Sequence, residues 1–141
     1  MDKLSIVIAV YNESENIEQL SAQITAALEG SGIDYEVIYV NDGSDDSTSK
    51  SIKESAGHRT VLVDLNRNYG QTAALKAGID IASGNYIATM DGDLQNDPGD
   101  LPHMLEIMKS TGCDIVTGIR ARRRDDLFFM MIPSAIANYV V

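Results

Sequence analysis

Tyr86-Ile87-Ala88-Thr89-Met90-Asp91-Gly92-Asp93-Leu94-Gln95-Asn96-Asp97-Pro98 is the stretch on which the chain turns. Tyr86 to Met90 reads as a buried strand. Two carboxylates separated by one glycine follow, with an amide two residues further on. Pro98 then opens a helical pattern over 98–111, with Leu101, Met104, Leu105 and Met108 on one side. In an extended or tightly turning segment, residues two apart project to the same side. Asp91, Asp93 and Gln95 are therefore expected to converge. Two carboxylates and an amide oxygen suit Mg2+ or Mn2+, hard ions that keep positions open for phosphate oxygens. Gly92 is expected to let the backbone approach whatever such an ion carries.

The same strand–turn–helix unit recurs on either side of this stretch. Leu4 to Val10 is a β-branched run ending at Tyr11-Asn12-Glu13, with Ser14 placed to cap a helix carrying Ile17, Leu20, Ile24, Ala27 and Leu28. Gly30 and Gly32 close that helix. Tyr35 to Val40 is a second strand. It runs into Asn41-Asp42-Gly43-Ser44-Asp45-Asp46-Ser47-Thr48, and a short helix follows to about Glu54. Thr60 to Leu65 is a third strand. After Asn66-Arg67-Asn68-Tyr69-Gly70, a helix spans Gln71 to Ala82, and its Ala73, Ala74, Ala77, Gly78 and Ala82 let it lie close to a sheet. Asp114 to Gly118 is the fifth strand. This alternation predicts an α/β fold, a mostly parallel, Rossmann-like sheet flanked by helices on both faces. Ligands of such sheets sit at the carboxyl ends of the strands. Those ends carry Glu13, Asp42, Arg67 and the Asp91/Asp93 pair.

Composition agrees with one globular domain. The chain has 141 residues, 44% hydrophobic and 23% charged, a size that buries a core without staples. Cys113 is the single cysteine, so no internal disulfide forms. A formal net charge of −10 argues against non-specific nucleic-acid binding. Arg120, Arg122, Arg123 and Arg124 supply four of the eleven basic residues, and residues 1–119 carry seven basic against nineteen acidic side chains. That cluster is either a phosphate-facing surface or a solvated loop partly neutralised by Asp125 and Asp126. Met1-Asp2-Lys3 leads straight into a strand, so no signal peptide is expected. Residues 1–124 are taken as the catalytic domain and 125–141 as an apolar C-terminal segment. Its run from Leu127 to Val141, interrupted by Pro133, falls short of the roughly 20 residues of a bilayer span. It lies in an interface, packs on the domain, or begins a region beyond Val141. The ending Val140-Val141 suggests a piece of a longer protein.

Each motif has a plain structural reading. Asp42-Gly43-Ser44 is either a turn and helix cap, or a strand-end carboxylate that accepts a hydrogen bond from a nucleobase or ribose. Glu13 is either a helix-dipole partner or a nucleotide contact. His58 and His103 are isolated and read as surface residues, and Cys113 as core. The phosphate loops Gly-x-x-x-x-Gly-Lys-[Ser/Thr] and Gly-x-Gly-x-x-Gly are absent, which argues against a P-loop NTPase and a nicotinamide enzyme. A phospho-receiver domain would want an acid pair after strand one, a lone aspartate after strand three and a lysine after strand five. This chain has Asn12-Glu13, Asn66 and Arg120 there.

Taken together, Ile8-Ala9-Val10-Tyr11-Asn12-Glu13, Val40-Asn41-Asp42-Gly43-Ser44-Asp45-Asp46-Ser47-Thr48 and Met90-Asp91-Gly92-Asp93-Leu94-Gln95 resemble the ordered motifs of family 2 glycosyltransferases of GT-A fold. Arg67-Asn68-Tyr69-Gly70-Gln71, Asp93 to Pro98 and Gly118-Ile119-Arg120 resemble the branch of dolichyl-phosphate mannose synthases and undecaprenyl-phosphate glycosyltransferases. The resemblance implies that Ala9, Tyr11, Glu13, Asp42, Arg67 and Gln71 line a nucleotide site. It gives Asp91, Asp93 and Gln95 the metal, and makes Asp91, Asp93 and Arg120 catalytic. Arg120, Arg123 and Arg124 would meet the acceptor phosphate. The family usually has proline where this chain has Ala9, which leaves the first strand exit less rigid. Where further basic residues often follow the arginine cluster, this chain has Phe128, Phe129, Met130 and Met131.

The implied reaction is metal-dependent (Mg2+ or Mn2+) and inverting. A hexosyl group moves from a UDP- or GDP-linked sugar to a polyprenyl phosphate, at the cytoplasmic face of a membrane. A phosphate monoester, with its second pKa near 6, is ionised at neutral pH and needs no dedicated base. The competing readings are a family 2 transferase with a polysaccharide acceptor and a nucleotide-sugar-binding module without activity.

Overall fold

The computed structural model describes residues 1–118 and 130–140, with side chains up to Ala137. Four strands run parallel: β1 (Lys3–Val10), β2 (Asp34–Asn41), β3 (Thr60–Asp64) and β4 (Tyr86–Asp91). Two further strands, β5 (Val116–Thr117) and β6 (Met130–Pro133), complete a sheet of order β3-β2-β1-β4-β6-β5. The helices are α1 (Ile17–Leu28), α2 (Thr48–Ser55), α3 (Gln71–Ile81), α4 (Leu101–Thr111), entered through a 3-10 turn at Pro98–Asp100, and α5 (Ser134–Val140).

Inside the sheet, β1, β2 and β4 are nearly continuous apolar runs because both sheet faces are covered there, whereas the edge strand β3 has no fully buried residue. Alternation along β1 decides which face each residue serves. Leu4, Ile6, Ile8 and Val10 pack with Ile17, Leu20, Ile24 and Leu28 of α1, Ile52 of α2, and Leu101, Met104, Leu105 and Met108 of α4. Val7 points the other way, to Ala74 and Ile79 of α3 and Ala137 of α5. Each fully buried aliphatic side chain contributes about 1.5–3 kcal/mol. The small residues of α3 serve as expected. A Cβ on Gly78 would lie 2.4 Å from Val7 Cγ1 and 2.9 Å from Val40 Cγ2, so alanine there would push the helix off the sheet.

Two expectations change, and one open alternative is decided. Ser14 does not cap α1. The N-cap position is Asn16, and the Ser14 N–H donates instead to Asp46 Oδ2 at 3.5 Å. The fifth strand is shorter than 114–118, because β5 pairs only where β6 faces it, Val116 with Met131 and Thr117 with Met130. The described part of the apolar C-terminal run packs on the domain: β6 inserts antiparallel between β4 and β5, and Met131 and Ile132 are fully buried. Among the described residues no helix is long and apolar enough to cross a membrane.

Strand order places the site. From β1 the chain moves outward to β2 and β3, then returns to β4 on the other side of β1. The crevice at the carboxyl ends of β1 and β4 is the point where the order reverses, and α/β sheets bind ligands there.

Candidate functional site

At that point the sheet opens into a cavity of about 450 Å³, within the range that small ligands occupy. Its lining includes Ala9, Val10, Tyr11 and Glu13 at and beyond the end of β1, and Asp91, Gly92 and Asp93 at and beyond the end of β4. Asp42 after β2, together with Asn68, Gly70 and Gln71 before and at the start of α3, completes it. Seven residues expected from the sequence therefore meet in one place: Ala9, Tyr11, Glu13, Asp42, Gln71, Asp91 and Asp93. Asn68 and Gly70 join them as neighbours of Gln71 in a motif already singled out.

Each wall has a local cause. Asn12, with φ of +53°, turns the chain after β1. Its N–H donates to Ser44 Oγ at 2.9 Å, and its Oδ1 accepts from the Asp45 N–H at 3.0 Å, which ties the first loop to the second. The Glu13 N–H donates to Thr48 Oγ1, and its carboxylate accepts from Asn16 Nδ2 at 2.7 Å. Asp46, which accepts from both the hydroxyl and the N–H of Thr48, has its carboxyl held below the ordinary value by the Thr48 hydroxyl first of all.

Asp42 is buried, 4% exposed. Its Oδ1 accepts from the Tyr69 N–H at 2.8 Å and its Oδ2 from the Gly70 N–H at 3.0 Å. Neighbouring Asn41 donates to Asp64 Oδ1 and accepts from Ser44. The plain reading of this motif is met as a turn that braces loops and not as a cap, since the N-cap position of α2 is Ser47. Arg67 stacks on Tyr69, 4.6 Å from the ring centroid, and is not among the cavity's described lining.

The acidic turn departs from simple alternation. β4 ends at Asp91, and Leu94 adopts φ of +64°. The twofold spacing does not carry through to Gln95, which is exposed and outside the described lining. The Gln95 N–H donates to Asp93 Oδ1 at 3.1 Å, and Asn96 Oδ1 accepts from the Asp91 N–H at 3.0 Å, closing the turn from within. Gln71 Nε2 donates to Asp91 Oδ1 at 3.1 Å. Gly92 has a reason other than the one expected: a Cβ there would sit 2.6 Å from Val10 Cγ1, so the glycine admits the neighbouring strand end. Asn96 was not anticipated as a support for Asp91. Its only sequence signal is the turn-forming run Asn96-Asp97-Pro98.

Electrostatically the described lining of the cavity is one-sided. Glu13, Asp42, Asp91 and Asp93 line it, and its described lining has no Lys or Arg. Among the described residues no group of three or more His, Cys, Asp or Glu is placed to hold a metal by itself. A cation here would have Asp91 and Asp93 as its hard oxygen donors, with the remaining positions left to ligand and water. Arg120, Arg123 and Arg124 lie outside the described residues.

The model of glycosyl transferase family 2 matches residues 5–139. The chain belongs to glycosyltransferase family 2. It is 42% identical over 142 residues, 99% of its length, to a dodecaprenyl-phosphate galacturonate synthase of Rhizobium johnstonii, and covers 42% of that protein. It is 40% identical over 98% of its length to an undecaprenyl-phosphate 4-deoxy-4-formamido-L-arabinose transferase of Pseudomonas fluorescens, of which it covers 41%. The chain thus spans about two fifths of the length of these curated relatives. A mannosyltransferase of Pyrobaculum calidifontis in complex with GDP-Man and Mn2+ superposes with a TM-score of 0.85 at 18% identity, covering 98% of this chain and 46% of that one. Glucosyl-3-phosphoglycerate synthase of Mycobacterium tuberculosis, with Mn2+ and UDP, gives 0.77 at 18% identity over 96% of this chain and 58% of its own. The fold of this family 2 chain is the GT-A fold, as its motifs implied.

Proposed function

We propose that this chain is the donor-binding part of an inverting glycosyltransferase. It moves a hexosyl group from a UDP- or GDP-linked sugar to a polyprenyl phosphate, at the cytoplasmic face of a membrane. The observation that carries the donor half is the cavity at the β1/β4 reversal point, lined by four carboxylates with no Lys or Arg among its described lining. Such a wall repels a bare diphosphate and accepts one that brings a cation. The similarity to a dodecaprenyl-phosphate galacturonate synthase and an undecaprenyl-phosphate 4-deoxy-4-formamido-L-arabinose transferase supports the acceptor half.

In the reaction, the bond between the anomeric carbon and the diphosphate oxygen breaks. A bond from that carbon to an oxygen of the acceptor phosphate forms on the opposite face, and the nucleoside diphosphate leaves with the electron pair. Asp91 and Asp93 would hold Mg2+ or Mn2+, which supplies the positive charge that a departing diphosphate needs. Gln71 orients the Asp91 carboxylate through its amide. Tyr11, half exposed at the cavity mouth, offers a ring face to the nucleoside, and Glu13 a carboxylate to its hydroxyls. Arg120, with Arg123 and Arg124, would present a guanidinium fork to the acceptor phosphate.

Calorimetry against UDP- and GDP-sugars, with and without Mn2+, tests the donor half. Binding of one nucleotide class that requires the ion is expected. Equal binding in a chelator, or none to either class, would overturn it.

A further inference from the structure

The loop between β3 and α3 is held from below at two adjacent residues. Both oxygens of buried Asp42 accept backbone N–H groups of that loop, from Tyr69 at 2.8 Å and Gly70 at 3.0 Å. Beside it Gly43 has φ of +70°, and a Cβ there would lie 2.2 Å from the Arg67 carbonyl carbon and 2.4 Å from Asn68 N. The loop therefore sits directly on the Asp42-Gly43 backbone. Gly70 (φ of +98°) is the N-cap of α3, and the next residue, Gln71, donates to Asp91 Oδ1 at 3.1 Å. Contacts thus run from the end of β2, through the loop, to the carboxylate at the end of β4.

We propose that Asp42 is a positioning residue of the acidic turn. By clamping Tyr69 and Gly70 it sets the first residue of α3, and through the Gln71 amide it fixes the Asp91 carboxylate that faces the cation. This rests on the donor-site reading above. It gives the buried side of Asp42, bonded through both oxygens, work beyond any contact made from the cavity side. It also explains the choice of aspartate: asparagine has nearly the same shape but would turn an NH2 group toward one of two N–H donors.

The test uses Asp42→Asn, Gln71→Ala and the double variant. The readouts are Mn2+ affinity by electron paramagnetic resonance, alone and with UDP or GDP, and amide hydrogen exchange at Tyr69 and Gly70. Each single variant is expected to weaken Mn2+ binding about tenfold, the scale on which outer-shell partners act. The double variant should lose no more than the larger single loss, since both break one line of contacts. Exchange at Tyr69 and Gly70 should quicken in Asp42→Asn and stay unchanged in Gln71→Ala. Unchanged Mn2+ affinity in Asp42→Asn despite faster exchange, or losses that add, overturns the proposal. Gln71 is exposed, so its variant folds in any case, and unchanged affinity there overturns it too. A wild-type protein that binds Mn2+ but no UDP- or GDP-sugar defeats the donor reading, while the clamp is still decided on Mn2+ alone. A wild-type protein that binds no Mn2+ defeats both.

Discussion

The two ends of β1 face opposite edges of one sheet, and their charges are handled in opposite ways. At the amino edge Glu36 meets Lys3 Nζ at 2.9 Å, and its other oxygen accepts from the Ser5 hydroxyl and from both the N–H and the hydroxyl of Ser83. Gly84 closes the cluster by donating to Ser5 Oγ at 2.8 Å. An ammonium there cancels the carboxylate. At the carboxyl edge the carboxylates that line the cavity meet neutral groups among the described residues: the Tyr69 and Gly70 N–H groups at Asp42, the Asn16 amide at Glu13, the Gln71 amide at Asp91 and the Gln95 N–H at Asp93. Neutral donors orient a carboxylate and leave its formal charge in place. The same residue type therefore builds a brace at one edge and a cation-seeking surface at the other.

The largest effect should come from removing charge at the open edge. Asp93→Ala and Asp91→Ala are each expected to weaken Mn2+-dependent nucleotide-sugar binding by more than about a hundredfold, beyond the loss on removing an outer-shell partner. Asp93 is exposed, so its variant should melt close to the wild type. Titration calorimetry with Mn2+ and thermal melting together read this. Unchanged affinity in either variant would mean that the acidic turn is not the cation site.

At the closed edge the effect should move from binding to stability. Burial pushes the Glu36 carboxyl up, but Lys3, Ser5 and Ser83 outweigh it and hold it down at about 2, against an ordinary 4.5. The folded state thus keeps this group ionised more firmly than the unfolded chain. Its contribution is complete above about pH 5 and is lost as the pH falls toward 2. Glu36→Gln should cost on the order of 2 kcal/mol at neutral pH, allowing for solvent screening. It should also flatten the loss of stability on acidification over that window, and leave Mn2+ affinity unchanged. Denaturant melts across that range decide it. A parallel loss of cation binding would show that the two edges are not independent.

The sequence made the centre of the molecule legible and its margins much less so. β1 to β4 are short β-branched runs bounded by turn residues and alternating with amphipathic helices, and that context settles them as strands. Met130–Pro133 is also apolar, but a short apolar run reads equally as strand, buried helix or interfacial segment. Only its pairing with Ala88, Ile87 and Tyr86 of β4 makes it β6. The acidic turn was legible as far as Asp93 and misleading at Gln95, because the left-handed Leu94 ends the alternation on which that expectation stood. The partners of Asp42 lie 27 and 28 residues away, where local spacing carries no signal.

The smallest effect tests how finely the open edge is shaped. Asn16 occupies the N-cap position of α1 and makes no capping side-chain bond, because its amide turns back to Glu13 Oε2 at 2.7 Å. Asn16→Ala therefore loses no cap, and helix stability should shift by less than the roughly 1 kcal/mol that a working cap contributes. What it releases is one oxygen of Glu13 at the rim of the cavity. A part-exposed bond of this kind nets about 0.5–1.5 kcal/mol, and only a fraction of that separates the pinned from the free rotamer when ligand is bound. A twofold to threefold weakening of nucleotide-sugar affinity is therefore expected, about 0.5 kcal/mol, with Mn2+ affinity in the absence of nucleotide unchanged. Loss of Mn2+ affinity in this variant would place Glu13 with the cation. An unchanged donor affinity would leave Glu13 a partner of α1 and restrict the open edge to the β2, β3 and β4 ends.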